Sequence, residues 1–190
     1  VLPVIAQSTD ETAAAASLFA RALDELAAWL HDDGRRQPRA ADLAAAQQPF
    51  LLAYRDGNHV ALLSRYGDLL AECLPPQEQL VRAHRDRIRL LVVSHHVRRH
   101  SVWDIVLSGL LAHIDRRRFE LLLYHTGEQE DEETAAARER VDFWRDRRDH
   151  PDFSSLREAI RADRPDVIFY PEIGMDPFSF HLATHRLAPL

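Results

Sequence analysis

Residues 88–103 read IRLLVVSHHVRRHSVW, and residues 166–177 read DVIFYPEIGMDP. Each is a short apolar run that stops in a polar, turn-forming stretch. Ile88 to Val93 is unbroken and rich in branched side chains, which predicts a strand covered on both faces. Asp166 to Tyr170 predicts another. In open parallel sheets ligands bind outside the carboxyl ends of the strands. Two such exits predict two walls of one cleft. His100 lies just past the first exit and Glu172 just past the second.

Working outward, Ser101 to Ile114 predicts a helix with Val102, Ile105, Val106, Leu110 and Leu111 as its buried side. Phe119 to Tyr124 predicts a strand. The acidic stretch 128–133 reads as a solvated loop or helix start. Thr134 to Trp144 predicts a helix that Asp131 or Thr134 caps, and Leu156 to Ala162 another after the break at Pro151. Pro177 to Leu187 predicts a last helix, with Asp176 as N-cap and Pro177 at its first position. The order β-α-β-α-α-β-α implies parallel strands joined by right-handed crossovers. The expected fold class is therefore α/β, with residues 86–190 forming one Rossmann-like half.

Residues 1–85 read as helical. Ser8 and Glu11 have capping-box spacing at the head of a helix over 8–32. Leu18, Phe19, Ala22, Leu23, Leu26, Trp29 and Leu30 form its apolar stripe. A weaker helix is expected over 40–48. A turn at Asp56-Gly57-Asn58 leads to a third helix over 59–74, with Leu62, Leu63, Tyr66, Leu69, Leu70 and Cys73 on one face.

The chain has 190 residues, 46% hydrophobic and 28% charged, with a formal net charge of −6. That is an ordinary globular balance, and the negative charge argues against nucleic acid as a partner. No apolar run approaches the ~20 residues of a membrane span, so no membrane partner is expected. The start, VLPVIAQSTDE, lacks the features of a secretory signal, and both ends read as cuts through a longer protein. A cytoplasmic location is expected. All 24 basic residues are arginine, with no lysine, which fits a GC-rich bacterial coding sequence. A Schiff-base lysine and a GxxxxGK[ST] phosphate loop are thereby excluded on this chain. The one cysteine, Cys73, precludes an internal disulfide and reads as a structural thiol. The run Arg82, Arg85, Arg87, Arg89 reads as a solvated connector.

Chemistry concentrates at the two exits. In Ser94-His95-His96-Val97-Arg98-Arg99-His100-Ser101, an imidazole at a helix start would be biased toward its neutral form, as proton transfer requires. Arg98 and Arg99 offer forked donors for a phosphate or carboxylate. His95, His96 and His100 cluster, but the helix begins after them and there is no HExxH, so no metal is expected. At the second exit Gly174 permits a positive φ or close approach of a ligand. Glu172 and Asp176 could bind sugar hydroxyls or orient an imidazole. No GxGxxG and no GxSxG occurs, which disfavours a classical dinucleotide site and a hydrolase elbow.

VVSHHVRRHS, FELLLYHTG, DVIFYPEIGMDP and the terminal RLAP together resemble the N-terminal half of the catalytic region of O-GlcNAc transferase-like proteins. This is glycosyltransferase family 41, including bacterial and SPINDLY-type members that carry tetratricopeptide repeats. The matching positions are Val93-Ser94, His100, Gly174, and Arg186 with Ala188-Pro189. The stretch PFLLAYRDGNHVALLSRYGDL resembles the helical linker ahead of the catalytic region. The chain departs from the family pattern at His96-Val97, where many members have Asp-Phe. It departs again at Arg99, where many have Asn, and at Pro171-Glu172-Ile173-Gly174, where many have Asp-x-Asn-Gly.

The resemblance implies the N-terminal lobe of a two-lobed GT-B inverting glycosyltransferase, with residues 1–85 as the repeat-adjacent segment. A sugar would move from a nucleotide-sugar, UDP-GlcNAc by the resemblance, to Ser or Thr hydroxyls of an acceptor polypeptide. His100 would be catalytic, as base or as orienting group. Ser94, Arg98, Glu172 and Gly174 would bind substrate. No cofactor beyond the donor is implied. The second lobe of the same protein would be a required partner, so this chain alone is expected to be inactive. Another GT-B nucleotide-sugar enzyme such as an epimerase, or a non-catalytic interaction module, would fit the same residues.

Overall fold

The computed structural model describes residues 7–32, 49–74, 80–150 and 152–190. The chain divides into two compact units, 1–77 and 78–190. The sequence-based change of character near residue 85 falls eight residues later than this division.

In the first unit, helix α1 spans Thr9–Asp32. Ser8 Oγ accepts the Glu11 N–H at 3.1 Å, and Glu11 in turn accepts the N–H of Gln7. The capping pair forms, but its return bond lands one residue early. Ala15, Leu23 and Leu30 are buried, whereas Leu18 and Trp29 are exposed, so the apolar stripe is narrower than the sequence suggests. A 3₁₀ turn over Pro49–Tyr54 precedes helix α2, Val60–Glu72. Tyr66 packs edge-on against Phe19, and Arg65 pairs with Asp24 at 2.7 Å, joining α2 to α1. Cys73 is half-buried and its thiol donates to Leu69 O at 3.2 Å. The helix expected over 40–48 lies outside the described residues.

The second unit is a four-stranded parallel sheet with helices on both faces. Strand β1 is Ile88–Ser94, β2 Phe119–His125, β3 Phe143–Asp146 and β4 Val167–Phe169. Helix α3 (Ser108–His113) follows β1 and α4 (Glu132–Glu139) follows β2. Helix α5 (Phe153–Asp163) and α6 (Pro177–Thr184) flank β4. The α/β, Rossmann-like character is present as expected. Alternation on β1 explains its unbroken apolar run. Leu90 and Val92 join one core with Trp103, Leu107, Leu121 and Leu123. Leu91 and Val93 join the other with Leu122, Tyr124, Leu156 and Ile160.

Two expected helices are corrected. The helix expected through Trp144 ends at Glu139, and residues 143–146 form β3 instead. The helix after β1 contains a π turn over Trp103–Leu107. The wider turn rotates the buried face, so Trp103 and Leu107 are inside and Ile105 is 80% exposed. Trp103 Nε1 also donates to Glu133 Oε2 at 2.7 Å, which ties this turn to α4.

Strand order is β3-β2-β1-β4. The chain steps outward from β1 through β2 to β3, then returns across the sheet to β4 on the other side of β1. Right-handed crossovers therefore place α3 and α4 on one face and α5 on the other. The direction of winding reverses between β1 and β4, and the helices that follow them diverge there. At such a switch point an open α/β sheet leaves a crevice at its C-terminal rim.

The opposite, N-terminal rim is laced by ion pairs. Arg89 meets Glu120 at 2.6 Å, Arg116 meets Asp142 at 2.6 Å, and Arg85 and Arg82 approach Asp166 at 3.6 and 3.8 Å. Asp166 also accepts the Arg89 N–H at 2.8 Å, and Asp142 the Leu121 N–H at 2.7 Å. The arginines expected to form a solvated connector are thus structural partners of the strand starts.

Candidate functional site

The loop that leaves β1 carries the histidines, and it is held from three sides. From the β4 exit, Glu172 accepts the His95 N–H on Oε1 at 2.5 Å and the Ser94 hydroxyl on Oε2 at 3.1 Å. Ser94 Oγ itself accepts the His96 N–H at 3.1 Å. From α4, Thr134 donates its hydroxyl to Val97 O at 2.6 Å, and Asp131 accepts the Arg99 N–H at 2.8 Å. Asp131 and Thr134 also form the capping box of α4, so one helix start both ends its own backbone and fixes the loop. From the β2 exit, Gly127 packs so closely that a Cβ there would meet the carbonyl of His95 and lie 2.8 Å from His125 Nε2.

His100 sits at the head of the helix after β1. Its carbonyl accepts the Asp104 N–H at 2.9 Å, and its Nδ1 accepts the Val102 N–H at 3.2 Å. A nitrogen that accepts cannot carry the ring proton, so the neutral ring bears its hydrogen on Nε2. The face of His100 stacks on His96, with centroids 3.9 Å apart and 11° between the planes; His95 meets His96 edge-on at 5.1 Å. Burial, then the neighbouring His100, His95 and Arg98, push the His96 pKa down to about 4, against a smaller pull from Asp176. His96 is thus a neutral shelf under His100.

Glu172 is only 2% exposed. Burial drives its pKa up to about 7, and Asp176 adds to this against the opposing donors from His95 and Ser94. Met175 N–H donates to Glu172 O at 2.9 Å, and Gly174 takes φ +87°. That is the turn position which demands a positive φ and favours glycine. Asp176 caps α6 by accepting the N–H groups of Phe178 and Ser179 at 2.8 and 3.0 Å.

β1 and β4 are adjacent and parallel, in register from Leu90↔Val167 to Val92↔Phe169. His100 and Gly174 therefore lie past the same rim. The side chains expected to bind substrate divide in two. Ser94 and Glu172 are buried and bonded to each other, while Arg98 lines a cavity of about 320 Å³ with His95, Glu128 and Gln129. Glu128 and Gln129 escape a reading of the sequence alone because acidic loops are usually just solvated. Their place directly after a parallel strand was the available signal.

Among the described residues, His125, Glu130 and Asp146 bring ligand-type atoms within 4.8 Å of one another. Arg148 already bridges both carboxylates, at 2.6 Å from Asp146 Oδ2, so this cluster holds its own cation. Burial pushes the His125 pKa down, against the nearby Asp146.

No family model and no curated protein matches the chain. Among solved structures, the fold is similar to that of a mutant O-GlcNAc transferase from Thermobaculum terrenum, with TM-score 0.57 and 20% sequence identity. The similarity covers 92% of this chain and 34% of that one. No helix among the described residues is long and apolar enough to cross a membrane.

Proposed function

We propose that this chain is the N-terminal lobe of a GT-B inverting glycosyltransferase that acts on protein Ser or Thr hydroxyls. The donor would be a nucleotide-sugar, UDP-GlcNAc by the sequence resemblance, and the acceptor a polypeptide. The reading is supported by one observation above the rest. An imidazole with one nitrogen fixed by a helix N–H, and the other without a hydrogen-bond partner among the described residues, stands at the rim of the β1/β4 switch point. The similarity in fold to an O-GlcNAc transferase agrees with it.

In such a reaction the acceptor oxygen attacks the anomeric carbon from the face opposite the diphosphate. The bond from that carbon to the phosphate oxygen breaks, and the diphosphate leaves with the electron pair. The hydroxyl proton must go to a base. With Nδ1 engaged, His100 offers Nε2–H, a donor; it orients the sugar or acceptor oxygen while a donor phosphate oxygen takes the proton. Arg98 provides a fixed positive charge beside the cavity, suited to a phosphate. The chain spans 34% of its structural neighbour, so transfer is assigned to the larger protein, whose second lobe would complete the nucleotide site.

The test is mass spectrometry of acceptor protein incubated with the complete enzyme and a panel of nucleotide-sugars. A sugar mass on Ser or Thr is expected. His100→Ala should cut transfer by about 100-fold, the usual scale for a positioned acid–base or donor group, while costing only the ~1 kcal/mol of a lost helix-start acceptor. Transfer at the wild-type rate would remove His100 from the mechanism.

A further inference from the structure

We infer that Glu172 is a positioning residue for His100, acting across the β1/β4 switch point through the backbone of residues 94–96 and the ring of His96. The inference deepens the reading above, and only the meaning of His100 rests on it. Glu172 approaches from the β4 side, yet every bond it makes by its side chain lands on the β1 exit: the His95 N–H and the Ser94 hydroxyl. Ser94 relays the contact to the His96 N–H. His96 then supports the His100 ring face to face.

The chemistry of the carboxylate argues for placement and against simple space filling. A buried carboxylate is costly unless paired. Among the described residues no cation pairs with Glu172. The charged or titratable groups around it are Asp176, which repels it, and His95 and His96, which meet it through their backbone N–H groups. An apolar side chain of similar size would fill the volume without that penalty. It could not accept two donors that point the same way from consecutive residues. A carboxylate can, because both its oxygens accept. Glutamine offers one acceptor and one donor, so the Ser94 hydroxyl could no longer donate to it and would have to turn to accept, which disturbs its relay to the His96 N–H.

The experiment is nitrogen-15 imidazole NMR of this chain at about pH 8.5, above the raised Glu172 pKa so that the carboxylate is ionised, as wild type, Glu172→Gln and Ser94→Ala, with circular dichroism to confirm folding. In wild type, the His100 ring should show the Nε2–H tautomer, and the His96 and His100 ring protons the mutual upfield shift of stacked rings. Glu172→Gln should abolish that upfield shift, and Ser94→Ala should reduce it. In the complete enzyme Glu172→Gln should lower kcat roughly 10- to 100-fold with the donor KM unchanged, as loss of orientation does. Ring resonances of His96 and His100 that superimpose on wild type in both variants would overturn the inference, whatever the enzyme does. Should Glu172→Gln fail to fold, Ser94→Ala alone decides, on the same resonances. If the rings move while the wild-type protein transfers no sugar, the proposed function falls and the positioning role stands.

Discussion

Where β3 and β4 begin, Asp142 and Asp166 meet arginines; past the end of β4, Glu172 meets none among the described residues. Asp166 and Asp142 take a neighbouring strand's N–H and an arginine together. Burial works against the charge on Asp142, but the Leu121 N–H and Arg116 outweigh it and hold its pKa below the usual range. Glu172, at the other rim, is bonded only to neutral donors and has its pKa raised. The first arrangement joins strands and stabilises the charge it uses. The second disfavours the charge and uses the carboxyl group to fix a loop that carries three histidines. Within one sheet, matched charge goes with stability and unmatched charge with position.

The contrast breaks most visibly if the N-terminal rim is damaged. Asp166→Ala leaves the Arg89 N–H without its side-chain acceptor and removes the carboxylate that Arg82 and Arg85 approach. Asp166 is 3% exposed, so the loss should be on the order of 3 to 4 kcal/mol, between an unmet buried donor and a broken buried ion pair. Urea unfolding measures it. At a temperature where the variant is folded, the His96 and His100 resonances should stay at their wild-type positions. His100→Ala should do the reverse, costing only ~1 kcal/mol for the lost Val102 N–H acceptor and, on the proposed function, cutting transfer about 100-fold. If Asp166→Ala moved the histidine resonances, the two rims would not be separable.

A pH series sharpens the comparison. Glu172 has its folded pKa raised from 4.5 to about 7. Its contribution is therefore fully present below pH 4.5 and is lost as pH rises through about 7, a change of roughly 3 kcal/mol. His96 has its folded pKa lowered from 6.5 to about 4. Its contribution is present above pH 6.5 and is lost as pH falls toward 4. Between pH 4.5 and 6.5 the two slopes oppose each other in the wild-type protein. Glu172→Gln should gain stability with rising pH relative to wild type, and His96→Gln should lose it. Three parallel profiles of urea midpoint against pH would show that neither group is held as described.

What could be read from the sequence follows from the same contrast. β1 was legible because a central strand is apolar throughout, and α6 because Asp176 and Pro177 are a cap with a mechanism. The α4 cap was legible for the same reason. β3 was not: its four residues sit at the sheet edge with only Asp146 buried, so no alternation marks it and the preceding helical pattern runs on. The π turn hid the true inner face of its helix, because a 3.6-residue period cannot anticipate an inserted residue. At the site, the position of His100 and the turn at Gly174 were legible as strand exits. The inward direction of Glu172 was not, since a carboxylate after a strand reads the same whether it meets a ligand or a backbone N–H. Gly127 gave no signal either, because close approach of two loops depends on pairing between β1 and β2.

Gly127 gives the finest test of whether the C-terminal rim is built for position. It lies between the β2 exit and the β1 exit loop, and an added methyl would collide with backbone, the His95 carbonyl, and not with a flexible chain end. The loop cannot yield easily, because Glu172, Thr134 and Asp131 hold it on its other sides. Gly127→Ala should therefore cost about 2 kcal/mol by overpacking and push His95 away from Glu172. The His96 and His100 resonances should shift in the same sense as in Glu172→Gln. Gly109, an exposed helical glycine on α3, is the control, because a methyl added there would meet nothing within 4 Å. Gly109→Ala should gain up to about 1 kcal/mol from helix propensity and leave both rings where they were. A Gly127→Ala protein as stable as wild type, with unmoved histidines, would mean that the loop is pliant and that the straps around it do not set its place.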